Sequence, residues 1–406
     1  MAKPMTKPQP LIPVAKPTLG EEEAAAARRV ILSGWVVQGP EVAAFEEEFA
    51  RVVGAQRAVA CSSGTAALHL ALMALDLGPG DEVITVSHSF IATANAVRYV
   101  GATPVFVDVE PETGNIAPDS VLPAITSRTR AILAVHQLGM PCNLPRLLSI
   151  AQDHNLYLVE DAACALGSEI NFGGEGEDPV APGPPSPNAV WEAIGRPRGV
   201  LATFSFHPRK IITTGDGGMI TGSDPQLLER LARLRTHSMS LSTAERHQAG
   251  RVVFEAYGEV GYNYRLTDIQ GAMGREQLKR LPWLVARRRH LARRYQEKLA
   301  GHPWLALPKE PPWARSNWQS FWVTLTPKCP RSQVEVMQDL QERGIQTRRG
   351  VMCAHREPAY HQLPLRFPLP VSEMLQDRSL ILPLYPEMTD QDQDRVVAAL
   401  AEVLGY

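Results

Sequence analysis

Residues 58–86 read AVACSSGTAALHLALMALDLGPGDEVITV, and they contain the unit from which much of the chain is built. A short apolar run, 58–61, is followed by small polar residues, a helix-length segment, a glycine-rich turn and a second apolar run, 83–86. Further apolar runs at 104–107, 131–135 and 156–159 continue this alternation. Strand-like runs separated by single helices predict an α/β fold with a mostly parallel sheet.

The composition limits the classes of protein to which the chain can belong. A formal net charge of −2 provides no basic surface for nucleic acid or an anionic membrane. Five cysteines without a C-x-x-C pair indicate neither a disulfide framework nor a metal site, and they favour the reducing cytoplasm. There is no export signal, and no apolar stretch approaches the roughly 18 residues that span a bilayer. We therefore expect a soluble cytoplasmic enzyme.

The length and local composition predict how the chain is divided. At 406 residues it exceeds what one core usually supports, so we expect two domains. A disordered lead-in is expected over 1–10, which holds three prolines, followed by a large domain over 11–281 and a small C-terminal α/β domain over 282–406. Residues 171–199, rich in proline, glycine and acids, predict a surface insertion with neither a strand nor a long helix.

Ligands of such folds bind outside the carboxyl ends of the strands, so the residues after each apolar run are the candidates for chemistry. After the first run, Ser62 and Ser63 can cap a helix. Gly64 and Thr65 then open that helix and could hold an anion there; the alternative is an ordinary helix start. Phe90 follows the second run, and its ring could cover a planar ligand or belong to the core.

Two charged residues follow later strands. Asp161 follows the fifth apolar run, and a carboxylate in that position requires a cationic partner. Lys210 lies in the stretch ATFSFHPRKIITTGDGGMITG, residues 202–222, between an apolar run and a glycine-rich turn. Its amine could form a Schiff base, or it could be a solvated loop lysine.

Together these groups match the requirements of pyridoxal 5′-phosphate (PLP). Gly64, Thr65 and Ser205 supply donors for the phosphate. Lys210 supplies the amine for the aldehyde, and Asp161 supplies the anion that keeps the pyridine nitrogen protonated. Because these groups all follow strands of one predicted parallel sheet, they are expected at one edge of it. This agreement favours a cofactor role for Lys210 over the solvated loop.

From residue 12 to the C-terminus the chain resembles the DegT/DnrJ/EryC1/StrS family, also called the sugar aminotransferase family, of PLP-dependent fold type I. The resemblance is carried by seven motifs in the order of the family: GWVVQGPEV (34–42), SGTAAL (63–68), FIATANA (90–96), EDAA (160–163), SFHPRK (205–210), TGDGGM (214–219) and GYNYRLTDIQ (261–270). It implies a large domain with a seven-stranded, mostly parallel sheet and a smaller C-terminal α/β domain.

The resemblance also implies roles for single residues. Lys210 would carry the cofactor as an internal aldimine, Asp161 would bind the pyridine nitrogen, and Phe90 would stack on the ring. The three phosphate ligands are the same as those inferred above, and Asn263 would reach the phosphate from the neighbouring subunit. The family therefore implies a homodimer with shared active sites.

The implied reaction is the transfer of an amino group, by resemblance from L-glutamate, to a nucleotide-linked keto-sugar in amino-sugar biosynthesis, with pyridoxamine 5′-phosphate as the intermediate cofactor form. The family's sugar dehydratases carry histidine at the position of Lys210, so the lysine favours transamination. A keto-cyclitol or a sugar without a nucleotide is an alternative acceptor, and a non-catalytic PLP-binding regulatory protein is an alternative of another class. Candidate substrate residues are Trp35, Arg265, His355 and Tyr360, of which His355 could instead be structural.

Three features depart from the family's pattern. Cys164 is found where the family usually has Gln or His beside the cofactor ring. Asp216 replaces the more usual Glu, and the insertion at 171–199 is unusually long. The cysteine could alter the tuning of the cofactor, and the insertion could reshape the entrance for the substrate.

Overall fold

The structure is a computed structural model that describes residues 10–173, 189–241, 252 and 254–405. Its α-helices are α1 (Glu21–Ser33), α2 (Pro40–Val53), α3 (Gly64–Ala74), α4 (Ala92–Tyr99), α5 (Pro118–Val121), α6 (Leu144–Asp153), α7 (Pro225–Leu234), α8 (Asp268–Lys298), α9 (Gln333–Glu342), α10 (Pro370–Arg378) and α11 (Asp390–Leu404). Its strands are β1 (Arg57–Cys61), β2 (Glu82–Val86), β3 (Thr103–Val107), β4 (Thr129–Val135), β5 (Tyr157–Asp161), β6 (Glu169–Asn171), β7 (Trp191–Ala193), β8 (Leu201–Ser205), β9 (Gly218–Gly222), β10 (Leu305–Ala306), β11 (Ala314–Arg315), β12 (Phe321–Leu325), β13 (Arg348–Arg349) and β14 (Ser379–Leu382).

Seven strands form the main sheet in the order β1-β9-β8-β5-β4-β2-β3. Neighbouring strands are parallel except around β9, which runs antiparallel to both β1 and β8. All five residues of β2 are buried, as expected for a parallel strand covered on both faces. The five strands predicted from the apolar runs are β1 to β5. The predicted α/β fold with a mostly parallel sheet is therefore confirmed.

An aromatic cluster fixes the strand that leads to Lys210. The rings of Phe49 in α2 and Phe204 in β8 have centroids 5.0 Å apart, and those of Phe45 and Phe206 are 5.3 Å apart. All four rings are fully or almost fully buried. Such edge-on and tilted pairs stabilise a core beyond their buried area. The end of β8 is consequently a rigid support for the loop that follows it.

Helix α8 crosses the predicted boundary between the two domains. It is 31 residues long, and Pro282 lies inside it, so the predicted boundary at 281/282 falls within a continuous helix. Thr267 caps the helix, as predicted. The N-terminal segment also reaches the C-terminal half, because Ile12 pairs with Ile345. The division into 11–281 and 282–406 stays a prediction, with one continuous helix joining its two parts.

The C-terminal half contains a second sheet, in the order β10-β12-β14-β13, with antiparallel pairing throughout. Its central strand β12 is buried at every position. Of the predicted disordered lead-in, residues 1–9 lie outside the described part of the chain. The carbonyl of Pro10 accepts a hydrogen bond from Arg395 Nη1 at 2.6 Å. The described chain thus begins in contact with α11.

The predicted insertion, 171–199, is described only at its ends, because 174–188 lie outside the described residues. Within those ends the prediction that it holds no strand is wrong. Strand β7 pairs antiparallel with β6, which pairs on its other side with β11. The guanidinium of Arg315 lies 3.7 Å from the ring centroid of Trp191 in β7. This cation–π contact and the β-preference of tryptophan favour a strand despite the surrounding glycines and prolines.

Candidate active site

The carboxyl ends of β1, β5 and β8 meet at one edge of the main sheet. The register pairs Asp161 with Thr203 of β8, and pairs Gly218 of β9 with both Ser205 and Cys61. The chain therefore brings the start of α3, the carboxylate of Asp161 and Ser205 to the same edge. Lys210 lies in the loop between β8 and β9. This is the clustering that the sequence predicted from residues far apart in the chain.

The start of α3 forms a cradle suited to an anion. The hydroxyl of Ser63 accepts a hydrogen bond from the Ala66 N–H at 3.1 Å, which confirms the predicted cap. The N–H groups of Gly64 and Thr65, in the first turn, have no acceptor within the helix. A Cβ at Gly64 would lie 2.7 Å from the Cβ of Ser205, so only glycine permits this approach. The first-turn N–H groups of α3 and the side chain of Ser205 therefore lie side by side, and together they are the kinds of donor that bind a phosphate.

Asp161 is 5% exposed and is held at both carboxylate oxygens. Oδ1 accepts the N–H of Ala163 at 3.2 Å, and Oδ2 accepts the hydroxyl of Thr93 at 2.8 Å. The hydroxyls of Thr93 and Ser89 are also 2.8 Å apart. Since the single hydroxyl proton of Thr93 goes to Asp161, Thr93 must accept from Ser89. Each carboxylate oxygen therefore accepts one hydrogen bond, which holds the group in place as the binding of a protonated pyridine nitrogen requires.

Thr93 is a residue that the sequence analysis quoted within a motif but to which it assigned no role. It lies in α4 and is 1% exposed, and the chain between it and Asp161 contains two strands of the sheet. Its only signal in the sequence was a hydroxyl one helical turn after Phe90. The contact with Asp161 follows from the sheet order and not from any local pattern.

Lys210 lies beside Cys164. Its Nζ donates to Cys164 Sγ at 3.1 Å, and both side chains are half-buried. Two residues that follow β11 hold the loops that carry this pair. Asn317 Nδ2 donates to the carbonyl of Cys164 at 2.8 Å, and Gln319 Nε2 donates to the carbonyl of Arg209 at 2.7 Å. The sequence analysis did not identify Asn317 or Gln319, since neither lies in a recognisable motif.

Two aromatic residues are candidates for contacts with a ligand: Phe90 with the cofactor ring and Trp35 with the substrate. Phe90 is 63% exposed, so the alternative that it belongs to the core is wrong, and its ring is available to cover a ligand. Trp35 is half-buried, and its Nε1 donates to the carbonyl of Gln38 at 3.3 Å. The loop of Trp35 is anchored where Asp268 Oδ1 accepts the Gly39 N–H at 2.7 Å.

Asn263 and Arg265 lie in the segment before α8. Asn263 is exposed and Arg265 is partly exposed. Between them, the carbonyl of Tyr264 accepts the N–H of Ser62 at 2.8 Å, which ties this segment to the end of β1. The segment therefore passes close to the start of α3.

His355 and Tyr360 are engaged inside the protein. His355 contacts the Ser87 hydroxyl through Nδ1 at 2.7 Å and Glu373 through Nε2 at 3.1 Å, as its structural alternative implied. Tyr360 is 3% exposed and donates its hydroxyl to Asn95 at 2.7 Å, and burial raises the pKa of Tyr360 to about 12. The expectation that Tyr360 lines the substrate pocket is wrong, because both its ring and its hydroxyl are already used.

The described residues hold no group of three or more His, Cys, Asp or Glu side chains arranged to bind a metal ion. None of the described helices has both the length and the apolar character needed to cross a membrane.

Comparisons with known proteins identify the family of this chain. A profile of the DegT/DnrJ/EryC1/StrS aminotransferase family matches residues 17–401. The chain is similar to DesV from S. venezuelae, solved in complex with a ketimine intermediate, with 34% identity, a TM-score of 0.86 and coverage of 98% of this chain and 100% of that chain. It is also similar to the aminotransferase TlmJ from Streptoalloteichus hindustanus, with 32% identity, a TM-score of 0.85 and coverage of 97% and 99%.

A third similar structure is that of a putative sugar aminotransferase from Streptococcus pneumoniae in its PLP form, with 25% identity, a TM-score of 0.84 and coverage of 97% of this chain and 99% of that chain. Because the family profile spans almost the whole chain, the resemblance inferred from the seven motifs is confirmed. The chain belongs to the DegT/DnrJ/EryC1/StrS aminotransferase family and is a PLP-dependent aminotransferase.

Proposed function

We propose that this aminotransferase moves an amino group from L-glutamate to a nucleotide-linked keto-sugar, with PLP bound covalently to Lys210. The observation that carries the proposal is the position of three chemically different groups at one sheet edge: the amine of Lys210, the carboxylate of Asp161 and the N-terminus of α3. A sugar as acceptor is supported by the family and by the Streptococcus pneumoniae neighbour, which is named a putative sugar aminotransferase.

The residues supply the donors and the charge that the cofactor needs. The N–H groups of Gly64 and Thr65 and the hydroxyl of Ser205 would bind its phosphate, and only glycine at position 64 allows these donors to lie so close together. Asp161, held by two donors, would bind the pyridine nitrogen. The exposed ring of Phe90 would cover the ring of the cofactor. Cys164 would be a further neighbour of the cofactor.

PLP, when bound, withdraws electrons from the α-carbon of the amino donor. The negative charge of Asp161 would keep the pyridine nitrogen protonated, and this proton would maintain the electron demand of the ring. The amine of Lys210 would take a proton from the α-carbon of the donor and return it at C4′ of the cofactor. A positioned general base of this kind contributes about 10²- to 10⁴-fold to the rate. The same residue then serves the acceptor half of the reaction in reverse.

The proposal includes a homodimer with shared active sites, in which Asn263 reaches the phosphate of the neighbouring subunit. The exposed position of Asn263 supports this role. Beside it in the chain lie Val252, Phe254 and Val260, which are 83%, 88% and 76% exposed. A concentration of exposed apolar side chains in one segment is typical of a protein interface. A second copy of this chain is the partner that the shared site requires.

The acceptor is tested by a half-reaction. The protein is converted to its pyridoxamine 5′-phosphate form with L-glutamate, freed of donor and mixed separately with nucleotide-linked keto-sugars, the free keto-sugars and a keto-cyclitol. We expect a nucleotide-linked keto-sugar to restore the absorbance of the protein-bound PLP. Restoration by the free sugar or the keto-cyclitol alone would refute the nucleotide-linked acceptor. No conversion by L-glutamate would refute the donor.

The role of Lys210 is tested by Lys210→Ala. This variant should lose both turnover and the absorbance of the covalently bound cofactor. Lys279→Ala is the matched control, because the Lys279 side chain is 63% exposed and pairs only locally with Glu276. A Lys210→Ala protein that still transaminates would disprove the assignment.

A further inference from the structure

The pair formed by Lys210 and Cys164 has a chemistry beyond amino transfer. Their Nζ and Sγ atoms are 3.1 Å apart, so a nucleophilic amine and an oxidisable thiol are already in contact. The resemblance to the family leads one to expect Gln or His at position 164, and neither side chain can undergo sulfur chemistry. The contact is therefore a property of this chain.

The other four cysteines show why Cys164 differs. Cys61, Cys142 and Cys353 are fully buried. Burial raises the pKa of Cys61 and of Cys353 to about 12, and each of these two thiols donates to a backbone carbonyl. Only a thiolate that solutes can reach is readily oxidised. Cys164 and Cys329 are the two partly exposed cysteines, and Cys164 is the one in contact with a lysine amine.

The surrounding structure keeps the pair together. Asn317, which is fully buried, fixes the backbone of Cys164 through its carbonyl at 2.8 Å. Gln319 fixes the backbone of Arg209, next to Lys210, at 2.7 Å. The N–H of Lys210 donates to the carbonyl of His207 at 2.8 Å. Both loops are thus held by one short segment, and the side chains can meet without rearrangement of the backbone.

We propose that Cys164 and Lys210 form a reversible sulfur–nitrogen cross-link when the protein meets a peroxide. The thiol first reacts with hydrogen peroxide: the O–O bond breaks, the sulfur is oxidised by two electrons to a sulfenic acid, and water leaves. The Lys210 amine then attacks this sulfur, an S–N bond forms, and a second water leaves. The product is a sulfenamide with two hydrogens fewer than the two free side chains. Two equivalents of a thiol reductant restore the thiol and the amine and become a disulfide.

The cross-link would switch off the proposed covalent attachment of PLP, since the same amine is consumed. The modification itself requires only the contact, whereas its dependence on the cofactor rests on the proposed function of Lys210. With PLP attached, Lys210 is occupied and protected. With pyridoxamine 5′-phosphate or with no cofactor, the amine is free to react.

The test treats the cofactor-free, PLP and pyridoxamine 5′-phosphate forms with hydrogen peroxide and analyses their peptides by mass spectrometry. We expect a peptide pair joined through Cys164 and Lys210 in the first and third forms, lost on treatment with dithiothreitol. At saturating PLP its yield should fall on the order of tenfold, because few molecules have a free amine. Cys329→Ser should leave the cross-link unchanged, and Cys164→Ser should abolish it.

The outcomes separate the two proposals. If Cys164 is oxidised to the sulfinic acid with Lys210 unmodified in the cofactor-free protein, the cross-link is refuted. It is equally refuted if Cys164 resists peroxide under conditions that oxidise Cys329. If the cross-link forms but PLP gives no protection, the cross-link stands and the assignment of Lys210 to the cofactor fails.

Discussion

The substitution Thr93→Val tests how strongly the buried hydroxyl supports Asp161. Valine nearly keeps the shape of threonine, and position 93 is 1% exposed, so the packing is retained while the donor is lost. A hydrogen bond to a charged group contributes about 1.5–3 kcal/mol. After the substitution, Asp161 keeps the Ala163 N–H at 3.2 Å but loses the hydroxyl at 2.8 Å. Its carboxylate then holds a cationic ring less firmly.

If this whole contribution appears in cofactor binding, PLP should bind about 10- to 100-fold more weakly to Thr93→Val, since each 1.4 kcal/mol is tenfold in affinity. The assay is an absorbance titration of the cofactor-free protein with PLP, together with its thermal unfolding as a check on the fold. Thr93→Ser keeps the hydroxyl and should bind nearly as the unchanged protein does. Ser89→Ala removes only the outer donor and should have a smaller effect.

Two results would disprove this role of the Thr93 hydroxyl. If Thr93→Val and Thr93→Ser bind PLP as tightly as the unchanged protein, and both unfold at its temperature, the hydroxyl does not support Asp161. The other result is that Thr93→Val and Thr93→Ser both bind PLP weakly and both unfold at a lower temperature than the unchanged protein. The weak binding would then come from the loss of stability and not from the loss of the hydroxyl.

Three further predictions follow from single contacts. Gly64→Ala should weaken PLP binding without loss of the fold, since its Cβ would lie 2.7 Å from that of Ser205. Gly78→Ala, whose Cβ would come no closer than 3.9 Å to the carbonyl of Val100, should bind normally, and equal titration curves would contradict the cradle. Hydrogen bonds from Arg366 and Arg128 lower the pKa of Glu82 to about 2, below its ordinary 4.5, so its contribution to stability is present above pH 4.5 and lost as the pH falls toward 2. Glu82→Gln should therefore lower the free energy of unfolding by on the order of 1–3 kcal/mol at neutral pH, allowing for the partial exposure of both arginines. Urea unfolding at a series of pH values should show a smaller decrease of this free energy between pH 4.5 and pH 2 in the variant than in the unchanged protein, and an equal decrease would contradict the prediction. Phe254→Asp should shift the protein from dimer to monomer in light scattering, whereas Val334→Asp, at a position 72% exposed on α9, should not. If both variants remain dimers, the segment of Phe254 is not part of the interface.

Strands β1 to β5 could be predicted because a strand that is buried on both faces has a continuous apolar sequence. The strands β10, β11 and β13 have two residues each, which is too short to show the alternation of apolar and polar residues that predicts a strand. Strand β7 was missed for another reason: Trp191 lies among turn-forming residues, and its strand is stabilised by pairing with β6 and contact with Arg315. Tertiary contacts override local composition in such short elements.

The positions of Asp161, Ser205 and Lys210 could be predicted because parallel strands send their carboxyl ends to one edge. His355 and Tyr360 could not be placed in the same way. Their loop is polar in sequence, yet it contacts Ser87 and Asn95, which lie at the carboxyl end of β2 and in α4. A polar side chain that joins two parts of a fold looks, in sequence, like one that faces a substrate.

The continuity of α8 across 281/282 and the contacts of Asn317 and Gln319 both join the C-terminal half to the main sheet. Arg288, buried in α8, donates through Nη1 to the carbonyls of Gln319 and Leu384 at 3.0 and 3.1 Å. Gln319 in turn holds Arg209, and Asn317 holds Cys164. The C-terminal half is thus bonded to the two loops that carry the reactive amine and thiol. A C-terminal half that moved freely over the main sheet would have to break the hydrogen bonds of Asn317 and Gln319 to these loops at every opening. The cost is about 1–3 kcal/mol for each buried group left unsatisfied. The position of Lys210 is therefore set by residues on both sides of the predicted boundary.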